Sequence, residues 1–111
     1  METITRAGAA APQETVDRLA RVFKALGDVN RLRIVQMIVS EGETCVQDFT
    51  NVLDLSQSTI SHHLKQLVEA GLLERQQRGT WSFYSLSDAT AETVRHYLRS
   101  VFHTPHFGGQ K

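Results

Sequence analysis

Between Leu55 and Leu86 runs the segment LSQSTISHHLKQLVEAGLLERQQRGTWSFYSL, whose polar residues are unusual for a helix surface. Ile60, Leu64, Leu67 and Val68 fall at i, i+4, i+7 and i+8, an apolar stripe at helical period. The opposite side carries Ser58, Thr59, His62, Lys65, Gln66 and Glu69. An ordinary solvated face is denser in Lys and Glu. This one offers short hydroxyl, amide and imidazole groups, which donate and accept hydrogen bonds at close range. That chemistry suits the reading of base edges in a DNA groove. Two runs rich in aromatic and leucine residues follow, on either side of Gly79, with Arg75, Gln77, Arg78 and Thr80 at or near the tip of the hairpin they imply. The pattern predicts a DNA recognition helix followed by a wing.

Other chemistries find less support. There is no Gly-rich phosphate loop, no nucleophile elbow and no His-Glu-x-x-His pattern. His62 and His63 are adjacent, and neighbouring helix residues diverge by about 100°, so their rings cannot converge on one ion. Serines beside histidines on a helix face lack the third, orienting group of a triad. An enzyme is therefore not expected. His63 sits at the edge of the apolar stripe and reads as structural, whereas His62 lies opposite it and faces DNA or solvent.

Stepwise along the chain, residues 1–13 are small, polar and Ala-rich and predict a flexible arm. Val16, Leu19, Ala20, Phe23 and Leu26 give a helix from about Glu14 to Leu26, with Gly27 suited to its end and Asp28 to capping the next. The second helix, about Asn30 to Ser40, is apolar over most of its circumference and is expected to lie centrally in the core. A shorter one, about Cys45 to Val52, precedes Ser56, a cap for the recognition helix. Gly71 fits the left-handed position that closes it, with Leu72 against Leu67. Two helices joined by a short turn make a helix-turn-helix. The last helix, about Asp88 to Phe102, is stopped before Pro105, and residues 104–111 form a flexible tail.

The expected fold is mainly α with a small β-hairpin: a winged helix-turn-helix of five helices and a two-stranded wing, spanning 14–103. Both terminal helices are amphipathic, and one small domain struggles to bury every stripe. A homodimer through Val16, Leu19, Phe23, Val94, Tyr97, Leu98 and Val101 is the economical solution. The alternative packs both helices on the chain's own core.

With 111 residues the chain can hold one domain with a real core, but not two. No apolar run approaches the ~20 residues needed to cross a bilayer. The opening METITRAGAAAPQE has no apolar signal region, and a single cysteine forms no internal disulfide, so the cytoplasm is expected. Net charge is zero, which argues against a non-specific coat for nucleic acid. Charge is nevertheless uneven: Arg18, Arg21, Lys24, Arg31 and Arg33 cluster early, while Glu41, Glu43, Asp48 and Asp54 follow without a cation between them. A neutral chain binds DNA when its few cations sit at the phosphates and helix ends assist.

The segments KALGDVNRLRIV (24–35), LSQSTISHHLKQLVEAGLLERQQRG (55–79) and TWSFYSL (80–86) strongly resemble the ArsR/SmtB winged-helix repressors. The resemblance covers about residues 15–102, and its specific part is the recognition-helix segment. It implies a homodimer on an inverted-repeat operator in double-stranded DNA, released when an inducer binds, usually a metal ion. It also implies DNA-facing positions at Gln57, Ser58, Ser61 and His62, and Arg78 near the wing tip. With the polar face read from periodicity, the candidate DNA set is Gln57, Ser58, Thr59, Ser61, His62, Lys65, Arg75 and Arg78. The helix would specify sequence, and the wing arginines would meet phosphate or the minor groove.

The sensing end departs from the family. One family site uses thiolates two residues apart; the first matches Cys45, but Gln47 stands at the second. A lone thiolate among Glu41, Glu43 and Asp48 suits neither arsenite nor cadmium, and Cys45 reads as a small, partly buried hydrophobe. The other site lies on the last helix. Asp88 matches its carboxylate, while Thr90, Val101 and Thr104 replace the remaining ligands. His96, His103 and His106 lie nearby, and antiparallel pairing of the last helices would carry His103 and His106 towards Asp88 of a second copy. Such oxygen and nitrogen donors suit nickel or zinc. The alternatives are a regulator answering a non-metal signal or an accessory protein, and an interaction module that does not bind DNA.

Overall fold

The computed structural model describes residues 12–103. Of the expected arm only Pro12 and Gln13 are included, and Gln13 already opens the first helix; the tail, with Thr104 and His106, lies outside the described residues. In chain order the elements are α1 (Gln13–Leu26), α2 (Val29–Glu41), β1 (Thr44–Cys45), α3 (Val46–Val52), α4 (Gln57–Glu69), β2 (Leu73–Arg78), β3 (Trp81–Leu86) and α5 (Asp88–Phe102). The five helices and the hairpin fall within a residue or so of the expected bounds. None of the described helices is long and apolar enough to cross a membrane.

Side-chain caps set the helix boundaries. Asp28 accepts from the backbone N–H groups of Asn30 (2.9 Å) and Arg31 (3.2 Å), which starts α2 immediately after α1. Those backbone donors, Arg31 first, also hold the Asp28 carboxyl below its ordinary value. Ser56 caps α4 by accepting from Thr59 N–H at 3.2 Å. At the far end Leu72 N–H donates to Leu67 C=O and Gly71 N–H to Val68 C=O, a Schellman closure. It requires the left-handed conformation that Gly71 adopts, with φ of 86°.

The core gathers where α4 crosses α2 and α3 and lies on the sheet. Ile34, Phe49, Ile60, Leu64 and Leu67 are wholly buried, and Val22, Leu53, Leu73 and Tyr84 close around them. The apolar stripe of α4 is thus spent on the core, which turns its polar side outward.

Two expectations change. The wing is part of a three-stranded antiparallel sheet of order β1-β3-β2, because Thr44 and Cys45 pair with Tyr84 and Phe83. A two-residue strand is too short to show alternation, so the sequence pattern extends the following helix back to Cys45. The second helix, expected to be central, buries only Ile34 and Ile38 fully and leaves Val29, Leu32 and Val39 exposed. Its apolar circumference is wider than the groove that α1, α4 and β3 offer it.

The terminal helices meet through Phe23 and Tyr97, whose rings lie 6.1 Å apart. Leu19 is buried in this chain and Val94 packs, partly buried, against its core, so both serve the intrachain packing. Val16, Phe23, Tyr97, Leu98, Val101 and Phe102 remain exposed.

Candidate nucleic-acid interface

Gln57, Ser58, Thr59, Ser61, His62 and Lys65 are all exposed on α4, opposite the buried Ile60, Leu64 and Leu67. The Ser56 cap organises the first turn: its hydroxyl donates to Thr59 Oγ1 at 2.9 Å and lies 3.3 Å from Ser58 Oγ. Ser58 and Thr59 are therefore held close to the backbone, while Gln57, Ser61, His62 and Lys65 project without a side-chain hydrogen bond among the described residues. The unpaired N–H groups and the positive end of the helix dipole lie at this same end. The face is a compact set of donors and acceptors on a rigid element, as base reading requires.

The wing stands beside it. β2 and β3 pair from Leu73↔Leu86 to Arg78↔Trp81, and Gly79 makes the turn with φ of 62°. Arg75 donates through Nη2 to Ser82 Oγ (2.9 Å) and to Gln77 Oε1, and has no carboxylate partner among the described residues. Arg78 is different. Its Nη1 and Nη2 each donate to Glu43 at 2.8 Å in a two-point pair, Nη2 also reaches Gln76 Oε1 at 2.9 Å, and the guanidinium sits 4.6 Å from the centre of the Phe83 ring. A geometry with both nitrogens engaged is the strongest form an arginine-carboxylate contact takes. Glu43 reaches Arg78 because β1 pairs with β3, and that strand carries the acid up to the wing. Sequence reading places Glu43 only in the acidic surroundings of Cys45, because its partner lies 35 residues away.

Trp81 was passed over. It is 55% exposed. A shallow cleft beside it is lined by Val46, Gln47, Gln57, Thr80 and Ser82, so the wing and the first residue of the recognition helix share one surface. A lone Trp beside the turn was the available signal.

The candidate metal donors do not come together. No three His, Cys, Asp or Glu side chains of the described residues converge. Asp88 opens α5 and His103 follows its last residue, which at about 1.5 Å per residue separates them by roughly 20 Å. Asp88, His96 and His103 could meet one ion only by drawing on a second chain. Cys45 is half-buried, and its thiol lies 3.4 Å from Asp48 Oδ2. Gln47 Nε2 turns instead to Asn51 Oδ1 at 3.4 Å. As donor sets for a soft metal, these residues do not fit.

His63 is the one imidazole that α4 turns inward, with 9% of its surface exposed. Its Nδ1 lies 3.4 Å from Nη1 of Arg31, whose Nε donates to Ala25 C=O at 2.6 Å. An arginine only donates, so this contact favours a neutral ring with Nδ1 as acceptor. Burial pushes its pKa below the ordinary 6.5; Asp28 opposes the shift, and Arg31 and His62 reinforce it. The unfolded chain therefore takes up this proton more readily than the folded one. Stability should fall as pH drops below about 6.5. Urea midpoints for the wild type and His63→Gln, compared between about pH 7.5 and 5.5, check this. The variant is expected to lose less on acidification, and equal losses would remove His63 as the cause.

A model of the arsR family of bacterial regulatory proteins matches residues 28–75, from the Asp28 cap to the first half of β2. An arsenical resistance operon repressor of Bacillus subtilis is 41% identical over 75 residues, which cover 68% of this chain and 71% of that protein. A homologue of the cadmium resistance regulatory protein CadC from Staphylococcus aureus is 38% identical over 92 residues, 83% of this chain and 73% of the relative. Among solved structures, the homodimeric winged helix-turn-helix DNA-binding domain Mb0332 of Mycobacterium bovis superposes with a TM-score of 0.63 at 28% identity, over 82% of this chain and 85% of that one. Family match, identity and fold agree: the chain belongs to the arsR family of winged-helix transcriptional regulators.

Proposed function

We propose that two copies of this chain bind an inverted-repeat operator in the cytoplasm and repress transcription there. Each copy would place α4 in a major groove and the wing on the flanking backbone. The observation that carries the reading is the division of α4: Ile60, Leu64 and Leu67 of its apolar stripe are buried with Val68 packed partly buried beside them, and the opposite face presents Gln57, Ser58, Thr59, Ser61, His62 and Lys65 to the outside. A two-fold dimer would set half-sites about one helical turn, or a multiple, apart. The Mycobacterium bovis relative, described as homodimeric, supports the assembly.

The wing makes the reading testable. Arg78 would exchange Glu43 for a phosphate, so the Arg78–Glu43 pair is a cost that binding must meet. Arg78→Ala should weaken operator and random DNA alike, by about tenfold at low salt, and lower the salt slope by about one unit. Glu43→Gln should do the reverse, tightening both by a few fold, since Arg78 no longer has to be released. Fluorescence anisotropy across a salt series measures both. If Glu43→Gln left binding unchanged while Arg78→Ala weakened it only on the operator, the wing would be reading sequence instead of backbone.

A further inference from the structure

A pocket of about 280 Å³ opens between α1, α2 and the end of α4, lined by Arg21, Lys24 and Ala25, by Arg31, and by Gln66, Glu69 and Ala70. It holds three cationic side chains against one acid. No ion pair engages Arg21, Lys24 or Arg31 among the described residues. Part of this charge is accounted for locally: Lys24 lies in the last turn of α1, where a cation complements the helix dipole, and Arg31 Nε caps Ala25 C=O. Arg21 serves neither purpose, and Arg31 Nη2 meets no protein partner among the described residues. A half-buried guanidinium with a free donor, flanked by two further cations, fits an oxyanion better than it fits water.

We propose that this pocket binds a small oxyanion of the phosphate class and that Arg31 couples its occupancy to the recognition helix. Arg31 is the shared part. Its Nη1 faces His63 on α4, and that contact joins α2 to the inward side of the helix whose outward side carries the DNA-facing residues. An anion at Nη2 and beside Arg21 and Lys24 draws the guanidinium into the pocket, lengthens the contact with His63 and loosens the seat of α4. The operator affinity then falls, which makes the pocket an input that needs no metal ligand. The coupling rests on the DNA-binding reading; the anion site does not.

Phosphate chemistry has two sources, a free ion and the DNA backbone, and the test separates them. The full chain is titrated with inorganic phosphate at constant ionic strength, without DNA, following the NMR resonances of Arg31 Nε–H and of residues 66–70. The expected result is a saturable shift on the order of millimolar, weakened about tenfold or more in the exposed double variant Arg21→Gln/Lys24→Gln. In a second arm, saturating phosphate lowers the operator affinity of the wild type several-fold and leaves that of the double variant unchanged. If free phosphate does not bind but the double variant loses DNA affinity and about two units of salt slope, the oxyanion is a backbone phosphate and the site stands with that source. No saturable shift together with unchanged DNA binding overturns the site. Equal phosphate binding by wild type and variant overturns it as well. Phosphate binding that leaves operator affinity untouched overturns the coupling, and because it is read without DNA it says nothing against the DNA-binding reading.

Discussion

Leu98→Asp should yield a folded monomer that no longer holds its operator. Val16 and Phe23 on α1 and Tyr97, Leu98, Val101 and Phe102 on α5 form an apolar surface that the described residues leave exposed. Among the described residues α5 is attached to its own domain chiefly through Ala91 and Val94 in its first half, and its second half touches the domain through Tyr97 on Phe23. Burying side chains of this size against a second copy is worth about 1.5–3 kcal/mol each before the costs of association. A carboxylate placed at the middle of that surface would lose its water without gaining a partner, a penalty of several kcal/mol. Leu98 belongs neither to the buried cluster nor to the side chains packed against it, so the change spares the core. Two half-sites held together gain on the order of 100-fold or more over one, and a monomer forfeits that gain. Sedimentation equilibrium with operator titration measures both: half the mass, about 100-fold weaker binding, a circular dichroism spectrum unchanged. A variant that stays dimeric would move the interface away from α5.

The parts of the molecule that were legible in the sequence are those written in local chemistry. α4 was readable because period, N-cap and C-cap agree: Ile60, Leu64 and Leu67 at helical spacing, Ser56 before them, Gly71 after them. The wing was readable from its composition and from Gly79. What escaped depends on partners distant in the chain. β1 exists only because β3 is there to pair with it, and with β1 came the Glu43–Arg78 pair, which spans 35 residues. The Arg31–His63 contact spans 32, so nothing in either local stretch announces it, although His63 at the edge of the stripe did read as structural. The exposed half of α2 was misread because hydrophobic residues on all sides of a helix say how much surface wants cover, and not how much of it the rest of the chain supplies.

The second large effect concerns the exposed polar side of α4, proposed above to face DNA. Ser58 and His62 are exposed, the cap is made by Ser56, and neither side chain supports the core. Their joint replacement by alanine should therefore leave stability within about 0.5 kcal/mol of the wild type. Each base contact of this kind discriminates by about 1–3 kcal/mol. The double variant should accordingly lose about 30-fold or more on the operator, while random DNA, held through backbone phosphates, should change by less than about threefold. The decisive measurement is the ratio of operator to random-DNA affinity for wild type and Ser58→Ala/His62→Ala, taken at one salt concentration. Base reading by this face predicts that the ratio collapses by more than about tenfold with the fold intact. An unchanged ratio, whether both affinities fall together or neither moves, would contradict it.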